Sequence, residues 1–199
     1  NNTLNCPAGT YCPIGTINPI QCNVGFYCPN NNSGFQTPCP SSMYCPYQGM
    51  ISPLLCPAGY FCPGSNIYPT NCPTGFYCPN NGMIAPLACE ISNYCPYQNM
   101  TIQFPCPAGS YCPNSQMNIP IPCTIGNYCP YQSMTSVTPC LAGYYCPTTG
   151  LSKGVDCPIG SYCPTQSINP TACPPGYTCA SQNMALPATC QLSYYCPYQ

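Results

Sequence analysis

Apolar positions in this chain form short clusters organised around cysteine, with no helical or long-strand periodicity. Each cluster holds two cysteines separated by five residues, usually with an aromatic directly before the second, and polar connections carrying Asn, Gln, Ile and Tyr lie between clusters. Thirty prolines and 16 glycines leave no window long enough for a stable helix. Segments such as Gly25-Phe26-Tyr27-Cys28 read as strands of two or three residues, so regular sheet content is expected to be low. No apolar run approaches the roughly 18 residues that a membrane-crossing helix needs.

The cysteine pair recurs twelve times and accounts for all 24 cysteines. The first six pairs are Cys6 and Cys12, Cys22 and Cys28, Cys39 and Cys45, Cys56 and Cys62, Cys72 and Cys78, and Cys89 and Cys95. The other six are Cys106 and Cys112, Cys123 and Cys129, Cys140 and Cys146, Cys157 and Cys163, Cys173 and Cys179, and Cys190 and Cys196. Spacing within a pair never varies, and the connections between pairs are nine or ten residues long. Such regularity marks a repeat array. The repeating unit reads C-P-x-G-x-Y-C-P. Proline followed two residues later by glycine is turn chemistry, since Pro presets φ and Gly accepts positive φ. In units three, six and twelve Ser42, Ser92 and Ser193 replace the glycine. The aromatics before the second cysteine are Tyr11, Tyr27, Tyr44, Phe61, Tyr77, Tyr94, Tyr111, Tyr128, Tyr145, Tyr162 and Tyr195, with Thr178 the exception in unit eleven. Their area makes them the expected nearest thing to a core, packing on disulfides and neighbouring units. A sharper reading gives them a stacking face for a partner chain or for sugar rings.

A slower rhythm overlies the unit. CPAG opens units one, four and seven, and YCPYQ closes units three, six and twelve, with an early copy at Tyr128. The chain therefore reads as one continuous array over residues 1–199 of twelve units of 16–17 residues, in approximate blocks 1–50, 51–100, 101–151 and 152–199. Duplication history would explain this rhythm. So would a twisting array in which three units complete a turn.

Composition narrows the function. Lys153, Glu90 and Asp156 are the only charged side chains in 199 residues. One lysine cannot neutralise phosphates, so nucleic acid is excluded as a partner. Two distant acids cannot cage calcium. Zinc sites use tighter cysteine clips, often with histidine, and histidine is absent, so no metal or cofactor is expected. Without histidine or a carboxylate pair no catalytic constellation exists, and an enzyme is excluded. Lys153 and Asp156, three residues apart, are expected to form a surface pair of little energetic weight. Cysteine at this density belongs in an oxidising, extracellular or cell-surface setting. A net charge of −1 leaves little repulsion between copies. Three sequons, at Asn1, Asn31 and Asn99, are candidates for N-linked glycans on the connections.

Three disulfide connectivities fit the spacing: closure within a unit (Cys6 with Cys12), closure across a connection (Cys12 with Cys22), and crossed bridges between paired modules (Cys6 with Cys22, Cys12 with Cys28). All close short loops, so chain entropy does not select among them. Paired modules would impose a rhythm of two, whereas the observed one is three. That favours a scheme treating every unit alike, with closure within the unit first. About a dozen bridges must then substitute for a conventional core.

The run CPAGTYCP at Cys6–Pro13 resembles the ephrin-receptor-like and growth-factor-receptor cysteine-rich repeats, and also the opening of tumour-necrosis-factor-receptor modules. Repeats of this type are common in long surface proteins of protists. The resemblance spans the whole chain, departing in having only two cysteines per unit at a stricter spacing. It implies an elongated extracellular rod without enzymatic activity.

The expected fold is a small disulfide-rich repeat array, elongated and mostly irregular, with turns, very short β segments and no helix. The expected function is structural, a subunit of an extracellular fibre, filament or surface coat that self-associates and carries covalent glycans. Because TLNCPAG at the start and YCPYQ at the end resemble internal joints, the array is expected to continue or to join head to tail. The alternative is the ligand-binding stalk of a cell-surface receptor, for which unit eleven (Thr178, Ala180) and the patch from Lys153 to Asp156 are the candidate readers. An ice-binding solenoid would need a flat Thr-rich row that the connections lack.

Overall fold

The computed structural model describes residues 5–190. These contain no helix. Their regular structure consists of eleven two-stranded antiparallel sheets, each strand two residues long. In every sheet the two residues before a closing cysteine pair with the two before the next opening cysteine. Thus Thr10–Tyr11 pairs with Ile20–Gln21 and Phe26–Tyr27 with Thr37–Pro38. Each connection therefore folds back as a hairpin on its own unit. Proline occupies the last strand position at Pro38, Pro105, Pro122 and Pro139, an edge place where the missing N–H costs no ladder bond.

The chain divides into two compact units. The first comprises Asn1–Cys89 and Cys95–Gln103, the second Glu90–Tyr94 and Phe104–Gln199. Both are built from the same step.

In the first, the Gly9 N–H donates to the Cys28 carbonyl (2.9 Å), and the Gly9 carbonyl accepts from the Cys22 N–H (3.0 Å). The Cys12 N–H donates to the Ser33 carbonyl (2.8 Å), and the Cys6 carbonyl accepts from the Asn32 N–H (2.7 Å). Four backbone bonds thus tie one repeat to the next repeat and its connection. The set recurs one repeat on: Gly25 to Cys45, Cys39 to Gly25, Cys28 to Met50 and Gly49 to Cys22, all at 2.8 Å. In the second unit Gly143, Cys157, Cys146 and Gln166 donate in the same way to Cys163, Gly143, Ser167 and Cys140. These bonds satisfy the cysteine and glycine backbone groups that the sulfur interior buries.

The turn inside each pair is tight. The Thr10 N–H donates to the Pro7 carbonyl (3.1 Å), with Gly9 at φ 84° in the third position. Proline therefore sits at the first position of the turn, supplying its carbonyl, while Gly9 carries the left-handed residue. Ser42 and Ser92 hold that conformation at φ 72° and 74° without glycine's freedom. The glycine also meets a connection two repeats further on. A Cβ on Gly9 would fall 2.6 Å from the Gly49 carbonyl oxygen, and one on Gly59 2.9 Å from that of Asn99. Gly126 and Gly143 face Gln166 and Asn183 in the same manner. In the second unit the successive glycines Gly109, Gly126 and Gly143 share this approach, whereas Gly25 in the first meets only Ile67 and Ser65, at 3.5 and 3.7 Å.

Candidate functional site

The interior is sulfur. Eleven disulfides close within a unit, each at a sequence separation of 6 and with Cα atoms 5.8 to 6.2 Å apart. That span is normal for a bridge. In the first compact unit Cys6 bonds Cys12, Cys22 bonds Cys28, Cys39 bonds Cys45, Cys56 bonds Cys62, Cys72 bonds Cys78 and Cys89 bonds Cys95. In the second Cys106 bonds Cys112, Cys123 bonds Cys129, Cys140 bonds Cys146, Cys157 bonds Cys163 and Cys173 bonds Cys179. Of the connectivities that spacing allowed, closure within the unit is the one present. The twelfth expected bridge needs Cys196, which lies outside the described residues, as do Tyr195 and Asn1.

Burial follows the sulfur. Cys78, Cys112 and Cys129 have no exposed surface, and the closing cysteines on either side of them, Cys62, Cys95 and Cys146, are equally enclosed. Among the described residues only two other apolar side chains, Met100 and Pro46, are buried with the cysteines. No group of three or more His, Cys, Asp or Glu side chains among the described residues is placed to hold a metal ion. No helix there is long and apolar enough to cross a membrane.

The described aromatics before the closing cysteines are only partly enclosed. Tyr11, Tyr27, Tyr44, Phe61, Tyr77, Tyr94, Tyr111, Tyr128, Tyr145 and Tyr162 are all half-buried. Each leans on the repeat from the strand pairing, leaving part of its ring in solvent. Tyr77 packs on the cluster of Cys89, Cys95 and Met100, and Tyr94 meets Phe104 at 6.0 Å between ring centroids. Further out, large apolar side chains face solvent throughout. Phe35 and Tyr131 are each 73% exposed, and Tyr47 and Tyr97 of the YCPYQ motifs are exposed as well. A chain whose narrow interior is filled by cysteine has no volume left for them.

Two sets of residues do structural work that the repeat motif conceals. Six of the seven methionines (Met50, Met83, Met100, Met117, Met134 and Met184) stand at the fifth residue after a closing cysteine. Five of them accept a cysteine N–H of the preceding repeat on their carbonyl, as Met100 does from Cys78 and Met134 from Cys112. Just before them lies a left-handed residue such as Asn99 (φ 60°), Gly82 (φ 72°) or Ser133 (φ 61°), whose N–H reaches an opening cysteine carbonyl of an earlier repeat. The fixed spacing of methionine was the available signal. The role itself is a backbone role and leaves no strict residue signature. At Cys129 the same bond goes to the Leu151 carbonyl (2.8 Å), with no methionine involved.

The sequons differ in setting. Asn31 is exposed, and its Oδ1 accepts from the Ala8 N–H (2.8 Å). Asn99 is half-buried at φ 60°, and its Oδ1 is buried without a hydrogen-bond partner. In unit eleven Thr178 is half-buried opposite Ala188, while Ala180 is exposed. The expected surface pair is absent. Lys153 and Asp156 form no ion pair, although both line one cavity of about 390 Å³ with Tyr128, Leu141, Tyr144 and Gly154.

Disulfide-closed repeats with short antiparallel strand pairs define a cysteine-rich repeat protein, and their density suits an oxidising environment. No protein-family model matches the chain, and no curated protein does either.

Proposed function

We propose that this chain is a non-enzymatic structural protein, a subunit of an extracellular fibre, filament or surface coat assembled from copies of itself. The observation that carries the proposal is the inversion of its apolar surface. The interior holds cysteine, while isoleucine, leucine and tyrosine are exposed along both compact units. Exposed apolar surface on this scale marks a contact surface. A net charge of −1 removes the repulsion that keeps ordinary soluble proteins apart. The likeness of CPAGTYCP to ephrin-receptor-like repeats supports the extracellular placement.

The native, oxidised protein is expected to show uniform filaments or sheets in electron micrographs and to sediment well beyond a monomer. Assembly should persist from low to high ionic strength, because almost no charge is available to screen. A monodisperse monomer at every concentration and salt would sink the proposal.

Glycan occupancy offers a second test. In secreted material, glycopeptide mapping should find Asn31 modified more fully than Asn99. Asn31 is an exposed residue, whereas Asn99 is half-buried and lies against Gly59. Occupancy of Asn99 equal to that of Asn31 would contradict this ordering.

A further inference from the structure

Repeat nine departs from its neighbours at several places, and the departures converge on one cavity. The residue three before the opening cysteine is proline in seven of the other described connections (Pro53, Pro69 and Pro86 among them), glutamine in two and valine in one. In the connection after repeat nine it is Gly154. The strand backbone there lies against Tyr144, so that a Cβ on Gly154 would stand 2.8 Å from the Tyr144 Cβ and 3.2 Å from the Cys140 Sγ. The neighbouring positions carry Lys153, the only basic side chain, and Asp156, one of two acids. Leu141 takes the place of the usual proline after the opening cysteine. Gly154, Lys153, Asp156 and Leu141 all line the cavity, with Tyr128 and Tyr144 as its aromatic wall. Strand register sets Asp156 directly opposite Tyr144, which places the two side chains on one face.

The geometry points to this cavity as a binding site for a neutral saccharide. A volume of about 390 Å³ falls in the range of small-ligand pockets. Lys153 offers only donors and Asp156 only acceptors, and because they form no ion pair both remain open to a ligand. A net anion placed there meets the Asp156 carboxylate, and a net cation meets the Lys153 ammonium, so either sign is opposed. Sugar hydroxyls donate and accept at once. Neighbouring hydroxyls on one ring edge can accept from Lys153 and donate to Asp156 while the C–H face of the ring lies on the tyrosines. Neither charged side chain takes part in the backbone ladder, so the site is added to the repeat without cost to it.

The test uses the intact oxidised chain and ligand-observed saturation-transfer NMR. The probes are the methyl glycosides of glucose, galactose, mannose and N-acetylglucosamine, with free alanine as a zwitterionic probe and glucuronate as an anionic one. At least one neutral glycoside is expected to bind in preference to alanine and glucuronate. Asp156→Asn and Lys153→Met should each weaken it about tenfold, the scale of losing one hydrogen bond to a charged group. Slow exchange at the glycine and cysteine amides confirms that each variant keeps its fold. The inference is overturned if no neutral glycoside binds, if alanine or glucuronate binds as well as the glycosides do, or if both variants keep full affinity.

Discussion

Reduction of the disulfides under otherwise native conditions is expected to unfold the chain completely. Each bridge closes a loop at a sequence separation of 6, for which chain entropy gives about 2 kcal/mol. Eleven of them together exceed the roughly 5–15 kcal/mol that holds an ordinary domain. No apolar core stands behind them among the described residues, where Met100 and Pro46 are the only apolar side chains buried with the cysteines. The backbone ladder cannot replace them. Its four bonds per step contribute about 1 kcal/mol each, against about 1–2 kcal/mol for every residue whose backbone they must fix. Hydrogen exchange checks this directly. In the oxidised protein the amides of Gly59, Cys62 and Cys72, all ladder donors, should exchange slowly. After reduction and alkylation they should exchange at the rate of an unstructured chain. Slow exchange surviving reduction would mean that the ladder, rather than sulfur, holds the fold. Removing a single bridge with Cys56→Ser and Cys62→Ser should cost about 2–5 kcal/mol and act most strongly on the adjoining repeats.

The second large effect is expected at the turn glycines. Gly59→Ala places a side chain at φ 84°, worth about 1–2 kcal/mol of left-handed strain. The new Cβ would also sit 2.9 Å from the Asn99 carbonyl oxygen, a backbone atom that cannot swing aside as a flexible side chain would. The combined cost should reach about 3 kcal/mol or more, read as a lowered midpoint in urea or heat. Gly150→Ala provides the comparison. It shares the positive φ, at 78°, but nothing lies within 4 Å of its Cβ, so only the strain of about 1 kcal/mol remains. Asn32, Ser133 and Asn183 already occupy equivalent positions without glycine. Equal losses in the two variants would show that the close approach at Gly59 carries no weight.

Much of this architecture was legible because its determinants are local. A cysteine pair at fixed spacing, a Pro-x-Gly turn and a two-residue aromatic strand such as Phe26–Tyr27 each act over fewer than ten residues. Closure within the unit was one of three open schemes, since loop entropy is nearly the same for all of them. The aromatics were legible as packing residues, while how deeply they sit was not: the disulfides fill the interior, and Tyr27 or Tyr111 lies half-buried. The left-handed residues at Asn32, Gly82 and Ser133 escaped notice because their task is done by a backbone N–H, which Asn, Gly and Ser all possess. Lys153 and Asp156 were visible as a charged patch, but their missing ion pair and shared cavity depend on where Gly154 lets the strand approach Tyr144.

By itself the sequence determined a helix-free repeat stapled by cysteine, because covalent spacing and turn residues act within a single unit. Only the tertiary structure decided which sulfurs join, which backbone groups carry one repeat to the next, and which side chains are left outside. The last two depend on groups 13 to 40 residues apart, as from Gly9 to Cys22 and to Gly49. Contacts at that distance are made largely by main-chain atoms that every residue type shares.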